Sequence, residues 1–235
     1  MEQNRAFGLS GGTLKIIALV TMIIDHATHM FVDYGSNQTL YLIGRGIGRL
    51  AFPIYCFLIV EGFYHTRSVL KYALRLFLFA LISEIPFDLA FYGTIFHGSH
   101  QNVFFTLFLG VVMMYLIQTA RTKVSQGQAV LQTLALLASY GIVFAAAFFL
   151  QADYGLNGIV LILLMFIFHG NRASVAIVDV MMNLLMGGNI QYAGALSAIP
   201  ICFYNGKKGI SLKYFFYAIY PLHLLLFYSI KNFML

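Results

Sequence analysis

Apolar positions run in long blocks along this chain, broken by short polar turns. Hydropathy and turn residues divide it into about nine spans, near 13–33, 40–64, 69–92, 102–120, 128–150, 156–169, 173–187, 190–204 and 212–232. A helix needs about 20 apolar residues to cross a bilayer. Alternation of the strand type is weak, which favours a helical bundle over a barrel. The pattern predicts an all-α, polytopic integral membrane bundle, a single transmembrane domain over residues 1–235 in the cell membrane. The eighth block is short, and its turn Gly187, Gly188, Asn189 follows closely on the seventh.

Composition sharpens this. Of 235 residues, 60% are hydrophobic and only 9% charged, against about 25% charged in soluble domains. The net charge of +6 is no nucleic-acid signature, because the basic residues sit in short loops. Arg5, Lys15, Arg67, Lys71, Arg75, Arg121, Lys123, Arg172, Lys207, Lys208 and Lys213 fall on one side of the alternation, and little beyond Arg45, Arg49 and Lys231 on the other. The positive-inside rule then predicts N-terminus in and C-terminus out. The first twelve residues do not read as a cleaved signal, so the first span is expected in the mature protein. Cys56 and Cys202 lie inside apolar runs and read as packing residues.

The first span carries Asp25, His26 and His29 inside an apolar run. Ionisable groups at membrane depth are costly and mark functional sites. Asp25 and His29 are four apart and share a helix face, whereas His26 points about 100° away from Asp25. A carboxylate on its own helix therefore suits His29, and His26 needs an orienting partner from another span. Arg45 and Arg49 are four apart, as are Glu84 and Asp88. They read as ion-pair partners between spans or as a clamp for a carboxylate, phosphate or developing oxyanion. Glu61 and His65 read as a local pair, and YNGKKG (204–209) as a tight cytoplasmic turn or a phosphate contact alongside Lys15 and Arg75. No nucleotide-binding fingerprint or zinc motif occurs, and the scattered histidines give no metal site.

The stretches IALVTMIIDH, RGIGRLAFPIYCFLIVEGFYHT, KYALRLFLFALISEIPFDL, QNVFFTLFLG, YNGKKG and YFFYAIYPLHLLLFY resemble the TraX family, named for a conjugative-plasmid protein that acetylates the N-terminus of F-type pilin. Such proteins resemble in turn the acyltransferase-3 group, with a basic residue, ten residues and a histidine in the first span. Lys15 and His26 fit that spacing. Eleven helical steps return to one face roughly 16 Å away, about the reach of an extended phosphopantetheine arm.

The resemblance implies acetyl-CoA as donor from the cytoplasmic side, and a peptide or glycan acceptor, amine or hydroxyl, reached from outside. It implies His26 as the catalytic histidine and Lys15 as the cofactor-side basic residue. Asp25, Arg45, Arg49, Glu61, Glu84, Asn102, Asn205 and His223 match recurring family positions. The expected catalytic set is His26, Asp25, Arg45, Arg49 and Asn102. Lys15, Arg75, Asn205, Lys207 and Lys208 are expected to hold the cofactor, and His29, Glu61, Glu84 and His223 the acceptor. Membrane lipids surround the bundle, and no nucleic acid is expected. The competing readings are a proton-coupled carrier using Asp25, His26 and Glu84, and a non-catalytic scaffold.

Overall fold

The computed structural model describes residues 7–124, 127–210 and 213–233. Arg5, used above for the charge asymmetry, lies outside them. The helices are α1 (Gly11–Phe31), α2 (Gln38–Gly48), α3 (Ala51–His65), α4 (Val69–Tyr92), α5 (Val103–Lys123), α6 (Ala129–Phe149), α7 (Gly155–Ile167), α8 (Arg172–Leu185), α9 (Ala198–Cys202) and α10 (Lys213–Phe233), with a 3₁₀ turn, Gln191–Ser197, before α9. Among the described residues there is no strand.

Among the described residues, four segments are long and apolar enough to cross a membrane: Gly11–Phe31, Gln38–His65, Val103–Lys123 and Ala129–Phe149. The other blocks do not all make full-length spans. α7 and α8 have 13 and 14 residues, and at about 1.5 Å per residue each stops short of a full crossing. The eighth block corrects the sequence reading most clearly. It is a seven-residue 3₁₀ stretch followed by a five-residue helix.

One side of that irregular stretch is held inside the protein, where such backbone is tolerated, while Tyr192, Leu196 and Ile199 are exposed. Asp179 on α8 accepts the Ser197 hydroxyl at 2.5 Å and an amide N–H of Asn183 at 2.9 Å. Gln191 then donates to Asn183 at 2.8 Å. Asp179, Asn183 and Ser197 are all fully buried.

The second block is one apolar run but two helices. Pro53, in the first turn of α3, has no N–H, so the helix cannot continue cleanly through Arg49. At the break the Arg49 N–H is shared between the carbonyls of Arg45 and Gly46, each at 3.2 Å. Both arginines still face α1, because the helices there are nearly in backbone contact. A Cβ on Gly44 would overlap Thr28, and one on Gly48 would overlap Asp25. Small residues four apart are what lets two membrane helices close to this distance.

The chain ends of α1 are fixed by polar contacts. Ser10 caps it by accepting the Thr13 N–H at 3.1 Å. The next orphan donors are taken by the 204–209 loop: Gly11 N–H donates to the Lys207 carbonyl at 2.8 Å and Gly12 N–H to that of Lys208 at 2.9 Å. At the opposite end of the bundle, the Gln101 N–H donates to the Gln151 carbonyl at 3.0 Å and the Gln101 carbonyl accepts the Asp153 N–H at 3.1 Å. The spans Gln38–His65 and Val103–Lys123 form the centre, each 61% buried, while α6 stands at the edge with 11%.

Candidate functional site

Two cavities lie end to end inside the bundle. One, of about 440 Å³, is lined at its polar wall by Asp25, His26, His29, Arg45, Arg49, His100, Asp153 and Tyr154. His100, Asp153 and Tyr154 bring the turns at 93–101 and 150–154 into its lining, and we call it the outer cavity. The second, of about 420 Å³, reaches the end of the bundle that holds the 204–209 loop. It is the inner cavity. Lys15, Arg75 and Lys208 line it, with Glu61, His65, Tyr72, Tyr204 and Tyr217. Met22, Tyr55, Val103 and Tyr220 line both, and form the partition between them.

Helix α1 supplies both ends. Lys15 reaches the inner cavity and His26 the outer one. The Lys15 ammonium sits 5.8 Å over the Phe216 ring, and the Arg75 guanidinium 5.7 Å over that of Tyr72. Lys208 joins them because its own carbonyl is tied to Gly12. A Cβ on Gly12 would run into the Ile210 backbone, so glycine is what lets loop and helix meet there.

His26 finds its partner on another helix. Its Nδ1 lies 2.7 Å from His223 Nε2, and His223 Nδ1 lies 2.8 Å from the Ile219 carbonyl on α10. The ring is held edge-on to Phe91 and Tyr220, at 5.2 and 6.0 Å between centroids. His223 lies behind the cavity wall, on neither lining.

Asp25 does not orient His29. It accepts from Arg45 Nη1 at 2.7 Å and from Arg49 Nη2 at 3.1 Å. The two arginines therefore pair with Asp25, and not with the Glu84 and Asp88 pair of α4. Arg49 Nη1 also donates to the Tyr154 hydroxyl at 3.3 Å, and Tyr154 stacks on Phe52 with centroids 3.7 Å apart. One carboxylate faces two guanidiniums, so the Asp25–Arg45–Arg49 cluster carries net positive charge, with Asp153 the second carboxylate of the lining. At the mouth, His100 Nε2 lies 3.4 Å from Asp153 Oδ1. That contact raises the His100 pKa above the usual imidazole range, against a smaller opposing effect of burial.

Several residues singled out from sequence sit elsewhere. Asn102 is fully buried and lines neither cavity. Its carbonyl caps α5 by accepting the Phe104 N–H at 3.1 Å, and its amide donates to the Ala80 carbonyl at 2.8 Å and to Glu84. With its hydrogen-bonding groups spent on joining α4 to α5, it has none for an oxyanion. Glu84 is its partner in that joint and lines neither cavity.

Glu61 lines the inner cavity and not the outer one that holds His26. It bonds His169 Nε2 at 2.9 Å and the Tyr204 hydroxyl at 3.1 Å, with His65 at 3.8 Å. Asn205 ties the loop to the preceding segment, donating to the Gly8 carbonyl at 3.0 Å and accepting the Lys207 N–H at 2.9 Å. Neither Asn205 nor Lys207 lines the cavity.

The sequence reading did not single out Tyr55, Tyr154 or Tyr220, which the structure places on the cavity linings. Tyr220 carried a usable signal, since it lies three residues before His223 on one helix face. Tyr55 and Tyr154 had none, because their place follows from how α3 and α7 meet the other helices. Among the described residues no cluster of three or more metal-ligating side chains occurs.

The comparisons with known proteins bear on the whole chain. It is 29% identical to a probable fimbrial assembly protein FimC, serogroup H1, of Dichelobacter nodosus, over 98% of this chain and 99% of that one. No solved structure matches. The model of the TraX protein family matches residues 10–231, and the chain belongs to that family.

Proposed function

We propose that this protein is a membrane acetyltransferase, with acetyl-CoA entering from the cytoplasm and an amine or hydroxyl acceptor from the other side. The observation that carries the reading is the pair of cavities meeting at Met22, Tyr55, Val103 and Tyr220, basic at one end and with an imidazole at the other. Donor and acceptor of a group transfer need separate entrances and one meeting point. The relative named for fimbrial assembly fits a pilin-like peptide acceptor.

In this reading the phosphates of CoA dock at Lys15, Arg75 and Lys208, and the pantetheine arm fills the inner cavity. The thioester carbonyl reaches the partition. His26 Nε2 makes no hydrogen bond among the described residues, and the His26 side chain lines the outer cavity. It takes the proton from the acceptor N–H or O–H as that atom attacks the carbonyl carbon. The C–S bond then breaks, and the proton passes to the leaving CoA thiolate. Arg45 and Arg49, held by Asp25, supply positive charge facing the developing oxyanion. The chain lies N-in and C-out as a multi-pass protein of the cell membrane, which puts the basic loops and the inner cavity in the cytoplasm.

A proton-coupled carrier would want Asp25, His26 and Glu84 along one path. Glu84 lines neither cavity and is taken up by Asn102. The test is transfer across a sealed bilayer. Vesicles enclosing [14C]acetyl-CoA are supplied outside with a short peptide bearing a free N-terminus, or with an oligosaccharide. Label should appear on one acceptor for the wild type and not for His26→Ala. Equal labelling by His26→Ala would end the assignment.

A further inference from the structure

The partners of His223 decide which nitrogen of His26 carries the proton. His223 Nδ1 faces the Ile219 carbonyl at 2.8 Å. A carbonyl oxygen only accepts, so His223 Nδ1 must carry a hydrogen. In a neutral ring its Nε2 is then a bare acceptor. The atom facing that nitrogen at 2.7 Å is His26 Nδ1, which must therefore be the donor.

We infer that His223 is a positioning residue which holds His26 in the Nδ1–H tautomer and leaves the Nε2 lone pair open to the outer cavity. The other tautomer of His26 would set two bare nitrogens against each other unless His223 became a buried cation. The geometry is that of a true hydrogen bond between rings. They are 4° from parallel with centroids 5.0 Å apart, and with a 2.7 Å nitrogen contact this means edge to edge in one plane. The contact joins α1 to α10 across 197 residues of sequence.

Such a partner does two things for a general base. It selects the productive tautomer and fixes the ring's direction. When Nε2 gains the acceptor's proton, the ring becomes a cation and its Nδ1–H bond to His223 becomes charge-assisted. The proton count is unchanged: one enters at Nε2 and leaves with the thiolate, and the Nδ1 hydrogen stays in place. Catalytic use of this arrangement rests on the acetyl-transfer reading; the tautomer itself does not.

The decisive experiment reads the tautomer directly. Protein labelled with [15N]histidine is studied by NMR in detergent, with His26 and His223 assigned through His26→Gln and His223→Gln. The expected result is a protonated, pyrrole-type Nδ1 and a bare, pyridine-type Nε2 on His26. A bare Nδ1 on His26 would overturn the inference. Turnover gives a second, independent reading. Glutamine at 223 can accept from His26 Nδ1–H and donate to the Ile219 carbonyl, whereas leucine only fills space. His223→Gln should stay within about tenfold of wild type, and His223→Leu should lose about 10²–10⁴ in kcat with acetyl-CoA binding unchanged. Leucine performing as well as glutamine would also overturn it. If the wild type transfers no acetyl group, the acetyltransferase reading fails while the NMR result still decides the tautomer.

Discussion

Asp25 on α1 accepts a hydrogen bond from Arg45 on α2 at 2.7 Å. The contact crosses a seam where Gly48 lies directly against the same aspartate. It makes Asp25 the counter-charge for a guanidinium pair. Removing one partner of a buried ion pair leaves the other charge unpaired, at a cost of about 3–5 kcal/mol. Asp25→Asn should therefore destabilise the protein by about 3 kcal/mol, the low end because the pair borders a cavity. Thermal unfolding in detergent measures this. A melting temperature equal to wild type would show that the arginines do not depend on Asp25.

Lysines 207 and 208 are adjacent in sequence and unequal in place. Lys208 lines the inner cavity and Lys207 does not. A charge-assisted hydrogen bond to phosphate contributes about 1.5–3 kcal/mol. Lys208→Ala and Arg75→Ala should each weaken acetyl-CoA binding about 10–100-fold, and Lys207→Ala by less than about threefold. Titration calorimetry separates them. A larger loss at Lys207 than at Lys208 would place the phosphates elsewhere.

Asn102 is predicted to matter for stability and not for chemistry. It caps α5 and joins α4 through Ala80 and Glu84. Loss of a cap costs about 1–2 kcal/mol. Asn102→Ala should lower the melting temperature while the turnover of the folded fraction stays near wild type. A specific fall in kcat with unchanged melting would return Asn102 to the reaction.

These outcomes show what the sequence could and could not reveal. The helical class and most helix ends were legible, because apolar block length and turn residues act locally. α4, α5, α6 and α10 begin and end within a few residues of the expected positions. The break at Arg49 and the short eighth segment were not. Their causes are a proline placed near two glycines, and a polar network, Asp179–Ser197–Asn183–Gln191, that forms only after α8 packs. Charged residues within the spans were easy to find, but which pairs with which is a tertiary fact. Arg45 and Arg49 chose Asp25, and Glu84 chose Asn102. The need of His26 for a partner from another span was readable from the helix wheel; that the partner is His223 was not.

At the outer mouth, His100 and Asp153 give a pH signature. The contact raises the His100 pKa above its unfolded value of about 6.5. The stabilisation is then fully present below about pH 6.5 and lost as pH rises through the higher folded value. The wild-type melting temperature should fall between about pH 6 and about pH 9 by more than that of Asp153→Asn. Identical pH profiles for the two proteins would show that the pair contributes nothing.

In the proposed reaction, helix α1 carries a docking end and a reacting end for acetyl-CoA. Binding of acetyl-CoA to purified wild type, Lys15→Ala, Lys208→Ala and His26→Ala, side by side, tests it most directly. Binding should be present in the wild type, weakened by either lysine substitution and retained by His26→Ala. Absence of binding to folded wild type, or its loss in His26→Ala with the lysine variants unaffected, would contradict the account.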